Sequence, residues 1–173
     1  FFATNDYSKK QVHETISPSM DISVASNFER LVYDFFLDRS TAKCAELFNN
    51  FPSQGIELDE ATWNKKNALF SSSSVDDAAT QAIIQSVNNE HHYLLDPHTA
   101  VAMQESIKSS TSTDHYVVLA TAHPAKFPDI YKKLAIDLSE IPMALKGLYD
   151  KTEYLHHFDA NYDEITSFIN SRN

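Results

Sequence analysis

A chain of 173 residues that is 42% hydrophobic is long enough to bury a core of its own. With 24 acidic against 14 basic residues and a formal net charge of −10, it offers no electrostatic attraction to nucleic acid or to an anionic membrane surface. A single cysteine, Cys44, excludes an intrachain disulfide and a Cys-based metal knuckle, and with no apolar run of about 18 residues and no signal-peptide layout the chain reads as soluble and cytoplasmic.

The basic residues fall as scattered singles or as the pairs Lys9-Lys10, Lys65-Lys66 and Lys132-Lys133, so no basic face is expected. Gly55 and Gly147 are the only glycines, where average usage is roughly 7%. Two glycines cannot build a Gly-rich phosphate cradle. Cofactor phosphates would have to be held by helix N-termini, by side chains or by chain outside this sequence.

The opening, Phe1 to Gln11, is polar apart from Phe1, Phe2 and Tyr7 and begins with no cap or start methionine; it reads as the interior of a longer polypeptide. Phe28, Leu31, Val32, Phe35 and Phe36 then recur at helical spacing behind Ser26 and Glu29, a capping-box pair, and predict a helix over 27–38. A second helix starts at Ser40 or Thr41, carries Cys44, Leu47, Phe48 and Phe51 on one stripe, and ends at Pro52 and Gly55. Asp59 to Phe70, with Trp63, Asn67 and Phe70 aligned, reads as a third helix, and Ser71 to Ser74 as a polar loop.

Asp76 caps a fourth helix with Ala79, Ile83 and Val87 on its apolar side. Asp96-Pro97 reads as N-cap and N1 of the next, proline's missing N–H being harmless in a first turn. Ala100, Met103 and Ile107 line that helix before a polar loop at 109–114. Tyr116-Val-Val-Leu119 reads as a strand buried on both faces, as in a parallel sheet. Pro124 then opens a helix with Phe127, Ile130, Tyr131 and Leu134 as its stripe. The tail adds a helix over 140–146, a short extended piece at Tyr154-Leu155, and a last helix with Tyr162, Ile165, Phe168 and Ile169 turned inward.

The strand-to-helix junction Thr121 to Phe127, TAHPAKF, is the place to look for a ligand, because sites in open α/β sheets lie beyond the carboxyl ends of strands. On spacing alone, capping accounts for Thr121 and His123 equally well. Capping also accounts for DPHTAV at 96–101, and for Ser26 with Glu29 in the run from SPSMDI at 17–22 to SNFERL at 26–31. Among eight histidines, His91, His92 and His98 are the closest group, yet no carboxylate or cysteine stands at zinc-site spacing, so no metal site is expected. No GxSxG elbow supports a Ser/His/Asp triad.

Taken in order, TISPSMDI with SNFERL, then YLLDPHTAV, then VVLATAHPAKF resemble the threonine synthases of bacteria and fungi. The likeness covers Thr15 to Leu31 and Tyr93 to Leu134, continues loosely through IPMAL at 141–145 and the histidines near His156, and leaves Ser40 to His92 unmatched. Ala102 departs from the family, which commonly has glycine there.

The resemblance implies a helix-rich α/β fold: the C-terminal part of a doubly wound, fold type II pyridoxal-phosphate (PLP) enzyme. It implies a single unit over 1–173, with 15–39 and 91–173 family-like and 40–90 a variable helical insertion. The implied activity converts O-phospho-L-homoserine and water to L-threonine and phosphate. The PLP lysine would lie upstream, in the missing N-terminal part of the same enzyme. No catalytic residue is then expected in this chain, and by itself it should be inactive. Lys9, Lys10 and Lys126 have the wrong surroundings to hold the cofactor covalently. Thr121 matches the hydroxyl that meets the cofactor's pyridine nitrogen, with His123 and Lys126 as secondary cofactor-binding candidates. The competing readings are another fold type II lyase, such as a threonine dehydratase or a tryptophan synthase β-like protein, and a non-catalytic protein-interaction module.

Overall fold

The computed structural model describes residues 1–109, 115–138, 141–148 and 150–172, without the side chains of residues 66 and 67. Residues Phe1–Leu138 and Ser139–Asn173 form two compact units. In chain order the α-helices are α1 (Phe28–Leu31), α2 (Thr41–Gln54), α3 (Glu60–Asn67), α4 (Asp77–His91), α5 (Pro97–Ser109), α6 (Pro128–Lys133) and α7 (Tyr162–Asn170), with single 3-10 turns at Pro18–Met20, Pro124–Lys126 and Met143–Leu145. Among the described residues no helix is long and apolar enough to cross a membrane.

The predicted helix over 27–38 is split. After α1 the chain widens into a π-helical turn, Val32–Phe36, closed by the Leu37 N–H on the Val32 carbonyl at 3.0 Å. The capping box is not formed. Asn27 occupies the cap without a side-chain bond, and Glu29 instead lies 3.9 Å from the Cys44 thiol. Phe28, Val32 and Phe36 are buried as the spacing requires, whereas Phe35 is largely exposed.

Ser40 caps α2 by accepting from the Lys43 N–H. The helix runs past Pro52 to Gln54 and stops at Gly55, whose φ of +70° and ψ of −171° suit only glycine. Pro52, inside the helix, has no N–H to give the carbonyl of Phe48 four residues before it. Phe28, Val32, Phe36, Phe51, Ile56 and Leu58 form one core cluster, with Phe1, Tyr7, Trp63 and Phe70 packed around it. Tyr7 stacks on Phe28 at 3.8 Å and pairs its backbone with Ile56 in an isolated antiparallel bridge.

A second cluster, Ile84, Val87, Leu95, Ala100 and Tyr131, joins α4, α5 and α6. Asp76 caps α4 as expected, its carboxylate accepting from the Ala79 N–H at 2.8 Å. The face of α4 is turned by one residue from the expected one: Thr80, Ile84 and Val87 are buried, and Ile83 lies at the margin. Ala100 and Met103 of α5 face this core, but Ile107 is 48% exposed. The helix expected from Pro124 is interrupted at Pro128, which lacks the N–H needed to continue it; a 3-10 turn and α6 replace it, still placing Phe127, Ile130, Tyr131 and Leu134 on the core.

Residues 115–121 are neither helical nor paired in a sheet among the described residues, so the expected strand at Tyr116–Leu119 has no partner here. Val117 and Leu119 are 87% and 74% exposed. A doubly buried strand needs neighbours on both edges and both faces, and the described residues supply none. In the second unit, Met143–Leu145 is a 3-10 turn where a longer helix was expected, and residue 140 of that expectation lies outside the described residues, as do 110–114 of the expected loop. Tyr162, Ile165 and Ile169 of α7 are exposed rather than inward, while Phe168 packs against His156 and Phe158.

Candidate functional site

The three motifs singled out in the sequence meet in one buried polar cluster. Ser17, Asp96, His98 and Thr99 are all buried. Asp96 begins α5 and accepts from the backbone N–H groups of His98 and Thr99 at 3.0 and 3.2 Å, both on Oδ1. Its Oδ2 accepts from the Thr99 hydroxyl. A carboxylate can leave water only when its lone pairs are met in this way.

From this centre one bond reaches each of the other motifs. The Ser17 Oγ lies 2.5 Å from His98 Nδ1 and joins SPSMDI to DPHTAV. The Thr121 N–H donates to Thr99 Oγ1 at 3.3 Å and joins DPHTAV to TAHPAKF. The His98 ring also meets Phe127 edge-on, centroids 5.0 Å apart. Tyr131 of α6 sends its hydroxyl to the Leu95 carbonyl at 2.7 Å; burial, and then the charge of Asp96, push its pKa above the ordinary tyrosine range.

Thr121 sits where this cluster meets open space. It is exposed and lines a cavity of about 500 Å³ with His98, Glu105, Ser106, Tyr116 and Leu119, a size typical of small-ligand sites. His123 is one turn away and acts as the N-cap of the 3-10 turn, its Nδ1 accepting from the Ala125 N–H at 3.1 Å. Its capping role is thus real, whereas Thr121 forms no cap to that turn. Lys126 is exposed at the end of the same turn. Sequence reasoning missed Ser17, Asp96, His98 and Thr99 as members of one cluster. In the sequence Asp96 is accounted for as a cap and His98 only as one of three neighbouring histidines; the bonds to Ser17 and Thr121 are visible only in the fold.

The fold matches solved structures of threonine synthases. The chain superposes on a PLP-bound threonine synthase from Brucella melitensis with a TM-score of 0.81 and 31% identity, covering 98% of this chain and 37% of that one. On the yeast threonine synthase it superposes with a TM-score of 0.75 and 28% identity, covering 98% and 38%. The fold is therefore that of one part of a helix-rich α/β enzyme.

The family is that of the threonine synthases, and the part matched is the C-terminal part: residues 99–169 match the family model described as "Threonine synthase, C-terminal". The threonine synthase of Pseudomonas aeruginosa is 36% identical over 172 residues, covering 98% of this chain. The chain spans 36% of the length of that relative.

Proposed function

We propose that this chain is the C-terminal part of a PLP-dependent threonine synthase, a carbon–oxygen lyase that converts O-phospho-L-homoserine and water to L-threonine and phosphate. One observation carries the reading: the three family motifs converge on a single buried cluster that ends at Thr121, which lines an open cavity. The lysine that binds the cofactor covalently then belongs to the upstream part, and this chain supplies one wall of the site.

PLP, when bound, supplies an electron sink for the substrate's carbanionic stages. The Thr121 hydroxyl suits its pyridine nitrogen, because a hydroxyl can donate to an unprotonated ring nitrogen and, unlike a carboxylate, does not hold a proton on it. A milder sink follows, and control of proton movement falls to acid and base groups of the protein. With its Nδ1 engaged by the Ala125 N–H, His123 keeps Nε2 for a phosphate oxygen. Lys126 offers a positive charge in a chain that is acidic throughout. Both are secondary contributors to cofactor binding.

The test is phosphate release from O-phospho-L-homoserine by the complete enzyme, wild type against Thr121→Val. Losing the hydroxyl is expected to lower kcat by about tenfold or more, in the range for a lost electrostatic contact to a reacting group. Unchanged activity, with an unchanged absorption band of bound PLP, would remove the assignment.

A further inference from the structure

Capping accounts for only half of Asp96. Both backbone N–H groups at the start of α5 bond to Oδ1, which is all a cap requires. Oδ2 is left for the Thr99 hydroxyl, whose oxygen in turn meets the loop at 121. Thr99 has one hydroxyl proton, and Asp96 takes it. Toward Thr121 the Thr99 oxygen can therefore act only as an acceptor, which is what the Thr121 N–H requires. The direction of both bonds is set by the carboxylate.

Among the described residues, the segment at 115–121 makes one other hydrogen bond, from the Tyr116 hydroxyl to the Ser109 carbonyl at 2.8 Å. Residues 115–121 belong to no helix and no sheet among the described residues, and their Val117 and Leu119 are largely in water. Asp96 and Thr99, by contrast, are 2% and 4% exposed and sit on a helix packed against α4.

We propose that the Asp96–Thr99 pair is the positioning element for Thr121: it fixes the backbone at 121 so that the hydroxyl side faces the cavity. The inference rests on the reading of Thr121 given above and deepens it. Thr99 touches no cofactor atom in this account and acts through Thr121 alone. A displacement of about 1 Å at a contact group is enough to lower a rate by roughly a hundredfold, so a tether of this kind has a measurable effect.

The experiment uses the complete PLP-loaded enzyme and compares Thr99→Val, Thr99→Ser, Thr121→Val and the double Val variant. Four quantities are read: the absorption band of bound PLP, the PLP dissociation constant by dialysis, kcat and KM. Thr99→Val is expected to alter the band in the same sense as Thr121→Val and to lower kcat by about tenfold with KM changed less than about twofold. Thr99→Ser, which keeps the hydroxyl, should restore all four to within about twofold of wild type, and the double variant should be no worse than Thr121→Val.

If Thr121→Val alters band and kcat while Thr99→Val alters neither, the positioning inference is overturned and the site reading stands. If Thr121→Val alters neither, the site reading itself is lost, and the inference with it. Should Thr99→Val fail to fold, hydrogen exchange at the Thr121 amide of the wild-type enzyme decides. Protection at least about tenfold above that of a free amide supports the tether, and exchange as fast as a free amide overturns it.

Discussion

Ser17 and His98, 81 positions apart in the chain, share a buried hydrogen bond of 2.5 Å between Oγ and Nδ1. Among the described residues, it is the one side-chain hydrogen bond between the segment at 15–22 and α5. Ser17→Ala would leave Nδ1 of a buried imidazole without its partner. We expect a loss of about 1–3 kcal/mol, the range for orphaning a buried polar group, measured as a lower urea midpoint with an unchanged slope. No loss would mean that the 15–22 segment is held by other contacts, such as the bond from the Ile16 N–H to Asp77 Oδ1 at 3.0 Å.

The polar bonds of this cluster divide into those a sequence can reveal and those it cannot. Caps such as Ser40, Asp76 and Asp96 are legible because the acceptor and the N–H it meets are three or fewer residues apart. The Ser17–His98 and Thr99–Thr121 bonds have no such local signature, and only the family likeness hinted that their segments act together. On α4, Ile83 and Ile84 are both apolar, so periodicity fits two adjacent faces, and packing against Tyr131 and Leu95 selects the one through Ile84. The strand expected at Tyr116–Leu119 shows another limit. Its composition is that of a buried strand, but pairing is a property of two segments, and the partner is not among the described residues.

Tyr131 gives a pH prediction. The ring is fully buried and its hydroxyl donates to the Leu95 carbonyl. Burial first, and Asp96 second, raise its pKa above the ordinary value of 10.0. A proton held more tightly in the folded state contributes stability that is fully present below pH 10 and is lost as pH rises past the unfolded value. Urea midpoints of wild-type protein should therefore fall as pH rises above about 10, and Tyr131→Phe should flatten that fall. The variant itself should be less stable at pH 7 by about 1–3 kcal/mol, because the Leu95 carbonyl loses its donor. An equal alkaline fall in both proteins would contradict the assignment.

Gly55 and Gly147 share a φ of +70° but not a setting. A Cβ at Gly55 would stand 3.1 Å from Ser8 Cβ and 3.2 Å from Ser8 Cα, whereas one at Gly147 meets nothing within 4 Å. Gly55→Ala thus adds crowding against backbone to a dihedral region of strain, and should lose about 1–3 kcal/mol. Gly147→Ala carries the dihedral penalty alone and should lose less. Thermal midpoints of the two variants give the order; a larger drop for Gly147→Ala would mean that the loop at 55 yields more readily than its contacts with Ser8 indicate.

Whether this chain can take up its cofactor alone turns on its lysines. A lysine amine that bonds covalently to PLP needs a desolvated pocket or a cationic neighbour to make it nucleophilic. Lys9, Lys10 and Lys126 are all exposed, and Lys10 is ion-paired to Asp6 at 3.2 Å. None of the three stands in a desolvated pocket. Incubating the isolated chain with PLP, reducing with borohydride and mapping peptides by mass is expected to find no lysine labelled above the background level of an unfolded control. Phosphate release from O-phospho-L-homoserine should be absent as well. Selective labelling of any one of these three lysines would place the attachment point within this chain and undo the division of labour proposed between it and the upstream part, because Thr121 would then face a cofactor anchored from its own side.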